Sequence, residues 1–199
     1  MQDVKLTKSQ YDTVEAPQAT LSMHPKKFLL WLFIVTIVML FSALTSAYIV
    51  RQGEGDWLDF DMPVLFWVNT GLLLLSSVTL HVAYLMAKKD RIDALKVLVA
   101  VTTLLGLAFL AGQYVGWGDL VEMGVYLVGN PSGSFMYVIT GLHAVHLISG
   151  VLFLLVVFVQ VFRNRVHAKR LTLLEMGVTY WHFLDGLWLY LFLFLLLNR

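Results

Sequence analysis

The sequence has no cysteine. Disulfides, thiolate nucleophiles and thiolate-bound metals are therefore excluded. Charge is scarce as well: 14% of the 199 residues are Asp, Glu, Lys or Arg, with a formal net charge of +1. Residues of the hydrophobic class make up 59%, and mean hydropathy is +0.76. A soluble domain of this size cannot bury that much apolar surface. Internal repeats, low-complexity segments and inverted symmetry are also missing, which argues against a transporter built from duplicated halves. The opening stretch "MQDVKLTKSQYDTVEAPQATLSMHPKK" has no apolar core followed by a cleavage site, so the first span is expected to direct insertion itself.

What is present is five long apolar runs: roughly 28–50, 63–87, 95–116, 135–162 and 173–197. Each meets the ~20 residues a helix needs to cross ~30 Å of hydrocarbon. The expected fold is all-α, an integral membrane bundle of five transmembrane helices. Residues 1–27 form a polar N-terminal tail and 28–199 the membrane domain. Of the Lys and Arg residues, twelve fall on one side of the runs and only Arg51 and Arg199 on the other. That asymmetry predicts a cytoplasmic N-terminus and a periplasmic C-terminus. The opposite loops carry Glu54, Asp56, Asp59, Asp61, Asp119 and Glu122, which give that face a negative field.

Small residues cluster in "FSALTSAY", "NTGLLLLSS" and "LLGLAFLAGQ", faces suited to close helix packing. Asn69, Thr70, Ser76, Ser77, Thr79 and His81 make the second span unusually polar, and Gln113 is a lone amide in the third. Hydrogen bonding between helices is their expected use. The six tryptophans lie mostly near span ends, as an aromatic belt requires, though Trp188 is too deep for that.

The fourth span contains "TGLHAVHLISG" and the fifth "LLEMGVTYWHFLDGLWLY". At 1.5 Å per residue, His146, His182 and Asp185 share a depth of roughly 13 to 18 Å. Spacing of three places His143 with His146, and His182 with Asp185, on common helix faces. A carboxylate near the bilayer centre costs at least ~2.5 kcal/mol, so Asp185 must be protonated, hydrogen-bonded or paired with histidine. Three readings fit His143, His146, Glu175, His182 and Asp185: an interhelical polar network, a lipid or proton site, and a metal or heme site. The last is weakest, since a helical di-iron site needs more carboxylates at matched depth. Lys88, Lys89, Arg91, Arg163, Arg165, Lys169 and Arg170 are candidates for contact with anionic lipid.

Taken in order, these pieces resemble subunit III of the heme-copper oxidases, in its short five-helix bacterial form. "TGLHAVHLISG" is similar to the family's T-G-x-H-x-x-H-x-x-x-G, and "EMGVTYWHFLDGLWLYLF" to its E-x(5)-W-H-F-x-D-x-x-W. "SAYIVR", "LFWVNTGLLLLSSVTL" and Gln113 support the match. The resemblance implies a V-shaped bundle packed on catalytic subunit I, with phospholipid in its cleft, no catalytic residue and no metal. Hemes and copper are then expected on partner subunits of a cytochrome c or quinol oxidase in the bacterial inner membrane. Subunit II, a small subunit IV or a respiratory supercomplex are further expected partners; nucleic acid is not. An intramembrane histidine-based metal or heme protein and a small proton-coupled transporter are the rival readings. Ile37 and Gly116 stand where the family usually has carboxylates, so roles tied to those acids do not transfer.

Overall fold

A computed structural model describes residues 24–163 and 171–198. Among these residues every regular element is helical. The five helices are α1 (Pro25–Gln52), α2 (Val64–Lys88), α3 (Ile92–Glu122), α4 (Pro131–Phe162) and α5 (Thr172–Leu197). All five are long and apolar enough to cross a membrane. The chain is a multi-pass membrane protein.

The helices outrun the apolar runs because hydrogen bonding continues past the point where hydropathy falls. At the start of α4, Asn130 Oδ1 accepts from Ser132 N at 2.9 Å, with Pro131 in the first turn, where its missing N–H costs nothing. Similarly α1 begins at Pro25, within the stretch expected to be tail, and Lys26 N donates to His24 Nδ1 at 3.3 Å. Between α2 and α3 the chain reverses in a tight turn, where Asp90 takes φ 53° and Arg91 N reaches back to Met86 O at 3.1 Å.

Helices α2, α3, α4 and α5 close into a ring in which each packs on its two neighbours. Helix α1 packs only on α4 and α5, outside that ring. Since α1 and α2 both touch α5 but not each other, they leave a groove between them with α5 as its floor. The most apolar window of α5 is 50% buried, against 22% for α1, which makes α5 the axis of the bundle and α1 its periphery.

Lipid tails are as apolar as leucine side chains, so close packing and interhelical hydrogen bonds must hold these helices together. Glycines of α3 and α4 supply close packing, Gly106 and Gly112 of them from the small-residue cluster of the third span. Gly112 lies against the Asn69 carboxamide, Gly116 against the Phe66 ring, and Gly106 and Gly150 against the Trp181 indole. In α1 the cluster divides: Phe41, Thr45 and Tyr48 are buried, whereas Ser42, Ala43, Ser46 and Ala47 are exposed.

A Cβ at Gly112 would overlap the Asn69 carboxamide, while one at Gly141 meets nothing within 4 Å. Gly112→Ala is therefore expected to destabilise the α2–α3 pair by ~1–3 kcal/mol. Gly141→Ala should be neutral or gain the helix preference of alanine, roughly 0.5–1 kcal/mol. Unfolding of the two variants in mixed micelles, followed by circular dichroism, checks the contrast.

Candidate functional site

Trp181 and Trp188 are seven residues apart, two turns along one face of α5, and each is 1% exposed. Trp181 Nε1 donates to Ser76 Oγ at 2.9 Å and Trp188 Nε1 to Thr70 Oγ1 at 3.0 Å, both on α2. The expected aromatic belt thus fails for Trp181 as well as Trp188. These indoles are interior posts, because the hydroxyls of α2 and the glycines of α3 and α4 make room for them.

His143 is fully buried in the same layer. Its ring lies 5.1 Å from Trp188 and 6.2 Å from Phe109 of α3, centroid to centroid. Neither ring nitrogen bonds to a described residue. His146 sits on another side of α4, near Phe41 and Phe33 of α1 at 5.7 and 6.5 Å. Its Nδ1 lies 2.7 Å from Leu142 O, one turn back in its own helix. Three residues rotate ~300° around a helix, so the two rings point ~60° apart. Where three helices meet α4, that angle sends them to different neighbours.

His182 Nδ1 lies 2.6 Å from Ser77 Oγ of α2. Asp185 is 3% exposed and faces the same serine. That hydroxyl is engaged by His182, and neither Asp185 oxygen has a hydrogen bond of good geometry. Glu175 is apart from all of these. Its Oε2 is 2.6 Å from Lys27 Nζ, and its Oε1 accepts from Tyr84 OH at 3.3 Å. This bridge ties α1 and α2 to α5 at the basic end of the groove.

The polar faces of the fourth and fifth spans, expected to meet, do not do so through hydrogen bonds: none joins any two of His143, His146, His182 and Asp185. The histidines turn to other groups, a backbone carbonyl for His146, Ser77 for His182 and an aromatic box for His143. Among the described residues no three His, Asp or Glu side chains converge as a metal ion requires. Asn69 and Gln113, expected to bond across interfaces, are each 1% exposed with no partner among the described residues. Other expectations hold: Thr79 Oγ1 is 2.9 Å from Thr102 Oγ1, joining α2 to α3.

The basic candidates divide. Lys88, Lys89, Arg91 and Arg163 lie at one end of the bundle, with Lys88 Nζ 4.4 Å above the Tyr84 ring. Arg165, Lys169 and Arg170 lie outside the described residues. At Arg163 an open cavity of about 400 Å³ runs along α4, lined by Leu152, Leu155, Val156, Val159 and Gln160. Lys27, Tyr84 and the two indoles escaped sequence reasoning as site residues. The hydroxyls of α2 and the deep tryptophans of α5 were the available signal.

Residues 57–198 match the family model for cytochrome c oxidase subunit III. The chain belongs to that family. Among curated relatives, cytochrome c oxidase subunit 3 of Thermostichus vulcanus is 29% identical over 82% of both chains. The corresponding subunit of Bacillus sp. PS3 is 27% identical over 94% of this chain and 93% of its own. Cytochrome bo(3) ubiquinol oxidase subunit 3 of Pseudomonas aeruginosa is 29% identical over 81% of this chain and 79% of its own. As a subunit III the chain works within a terminal oxidase and has partner subunits. Its match covers α2 to α5 whole, the ring built around the two indoles.

Removing the Ser76 hydroxyl leaves a buried indole N–H without its acceptor, at ~1–3 kcal/mol. Ser76→Ala should lower stability by that amount. Adding Trp181→Phe should cost less than the sum of the two single changes, since the pair is then absent together. A double-mutant cycle in mixed micelles measures the difference.

Proposed function

We propose that this subunit III is non-catalytic, and that it stabilises the oxygen-reducing subunit I, holds phospholipid and supports oxygen access and proton uptake. One observation carries the reading: among the described residues the titratable groups within the spans do not gather around one point, since His143 and His146 face different neighbours of α4, Glu175 is held by Lys27 at the basic end, and His182 and Asp185 lie at the α2–α5 seam. A reaction centre needs such groups gathered around one point. Hemes and copper then reside on partner subunits, with subunit I as the main contact and subunit II beyond it.

The basic end of the bundle faces the cytoplasm of a bacterium, where Lys88, Lys89, Arg91 and Arg163 meet the anionic leaflet. Arg163 at the mouth of the apolar cavity on α4 suits one phospholipid, its phosphate on the guanidinium and an acyl chain along Leu152, Leu155 and Val156. Oxygen partitions into apolar matter, so the apolar face and its lipid favour its passage without dedicated chemistry.

Extraction in mild detergent should recover the chain together with heme- and copper-bearing subunits. Stoichiometric iron or zinc on the isolated polypeptide would favour the metalloprotein reading, and proton flux in proteoliposomes of the chain alone the transporter. Arg163→Glu should release phospholipid from the complex, read by native mass spectrometry, and shorten the period over which turnover is sustained. Unchanged lipid stoichiometry would remove the α4 cavity from the assignment.

A further inference from the structure

The groove between α1 and α2 carries a polar group where a lipid-facing surface should have none. His81 of α2 is exposed, and its ring lies 5.8 Å from that of His182 on the groove floor. Behind it, His182 Nδ1 is held by Ser77, and Nε2 is buried with no partner among the described residues. At a rise of 1.5 Å per residue, His81 and His182 lie ~10 and ~15 Å from the basic ends of their helices. Phospholipid headgroups stay at the surface and do not reach that level. An imidazole left against acyl chains is costly, and polar residues within spans almost always face protein or water.

The groove also has room for a helix backbone. Gly186, one turn beyond His182 on α5, is exposed, and a Cβ there would meet nothing within 4 Å. Glycine at such a position lets a second helix approach closely. Val78, 60% exposed, continues the α2 wall beside His81. The Lys27–Glu175–Tyr84 bridge closes the basic end, so the groove admits a segment lying along its length rather than a headgroup entering from that end.

We propose that a transmembrane helix of another oxidase subunit lies in this groove, passing over Gly186 and presenting a hydroxyl, amide or carboxyl side chain to His81. The proposal rests on the reading of the chain as a subunit of an oxidase complex. It assigns the α1–α2 groove as the subunit interface and His81 as the polar contact within it.

The test uses the whole complex in native membranes. A photoreactive benzoylphenylalanine at position 81 should give an adduct with another subunit, whereas one at Leu104 on α3, 65% exposed, should label lipid. Adducts with lipid alone at position 81, in a complex that still purifies intact, overturn the proposal. His81→Leu should lower the amount of this chain recovered with the complex several-fold, and His81→Gln, which keeps a hydrogen-bonding group, should restore it; equal recovery of both variants at the wild-type level also overturns it. Should the wild-type chain purify with no heme-bearing subunit, the subunit reading itself fails.

Discussion

Two indoles on one face of α5 hold four helices at once. Trp181 bonds to Ser76 of α2 and lies against glycines of α3 and α4; Trp188 bonds to Thr70 of α2 and packs on Phe109 of α3 and His143 of α4. In a bilayer the usual penalty for leaving an apolar side chain exposed is missing, so a helix gains little by burying leucine. Shape and hydrogen bonds decide instead. A tryptophan supplies both, since its ring fills the space that glycine leaves and its N–H requires an acceptor that lipid does not provide.

The arrangement of the histidines follows from that constraint. Once the indoles fix α2, α3, α4 and α5 around a common centre, the faces of α4 are allotted: one to the interior, one to α1. His143 and His146 fall on either side of the division. His146 takes a carbonyl one turn back and His182 a serine across a seam, while His143 is enclosed by aromatic rings. The polar residues of the spans thus report where helices meet.

Helix α1 is the exception to the ring. It is the least buried span and is attached through side chains: Lys27 to Glu175, Tyr190 OH to Thr45 Oγ1 at 3.0 Å, and Tyr48 OH to Asn198 O at 2.9 Å. These ties act near the two ends of the helix, with the exposed Ser42, Ala43, Ser46 and Ala47 looking away. A helix so placed leaves room beside α5, and that room distinguishes this bundle from a closed five-membered one.

Much of this was legible in the residues themselves. Five apolar runs of sufficient length determined five spanning helices, because backbone polar groups in hydrocarbon must be satisfied within each segment. The ordered motifs in the fourth and fifth spans determined the family, and the hydroxyls of the second span announced interhelical bonding. Partner choice was settled only by the tertiary structure. Spacing of three along a helix allows both a shared face and a ~60° divergence, and which applies depends on how many neighbours surround the helix. Sequence alone grouped Glu175 with the histidines by motif; packing gave it Lys27, from a stretch that hydropathy assigned to the tail. Depth follows from counting residues, but rotation about the helix axis is set by the side chains of other helices.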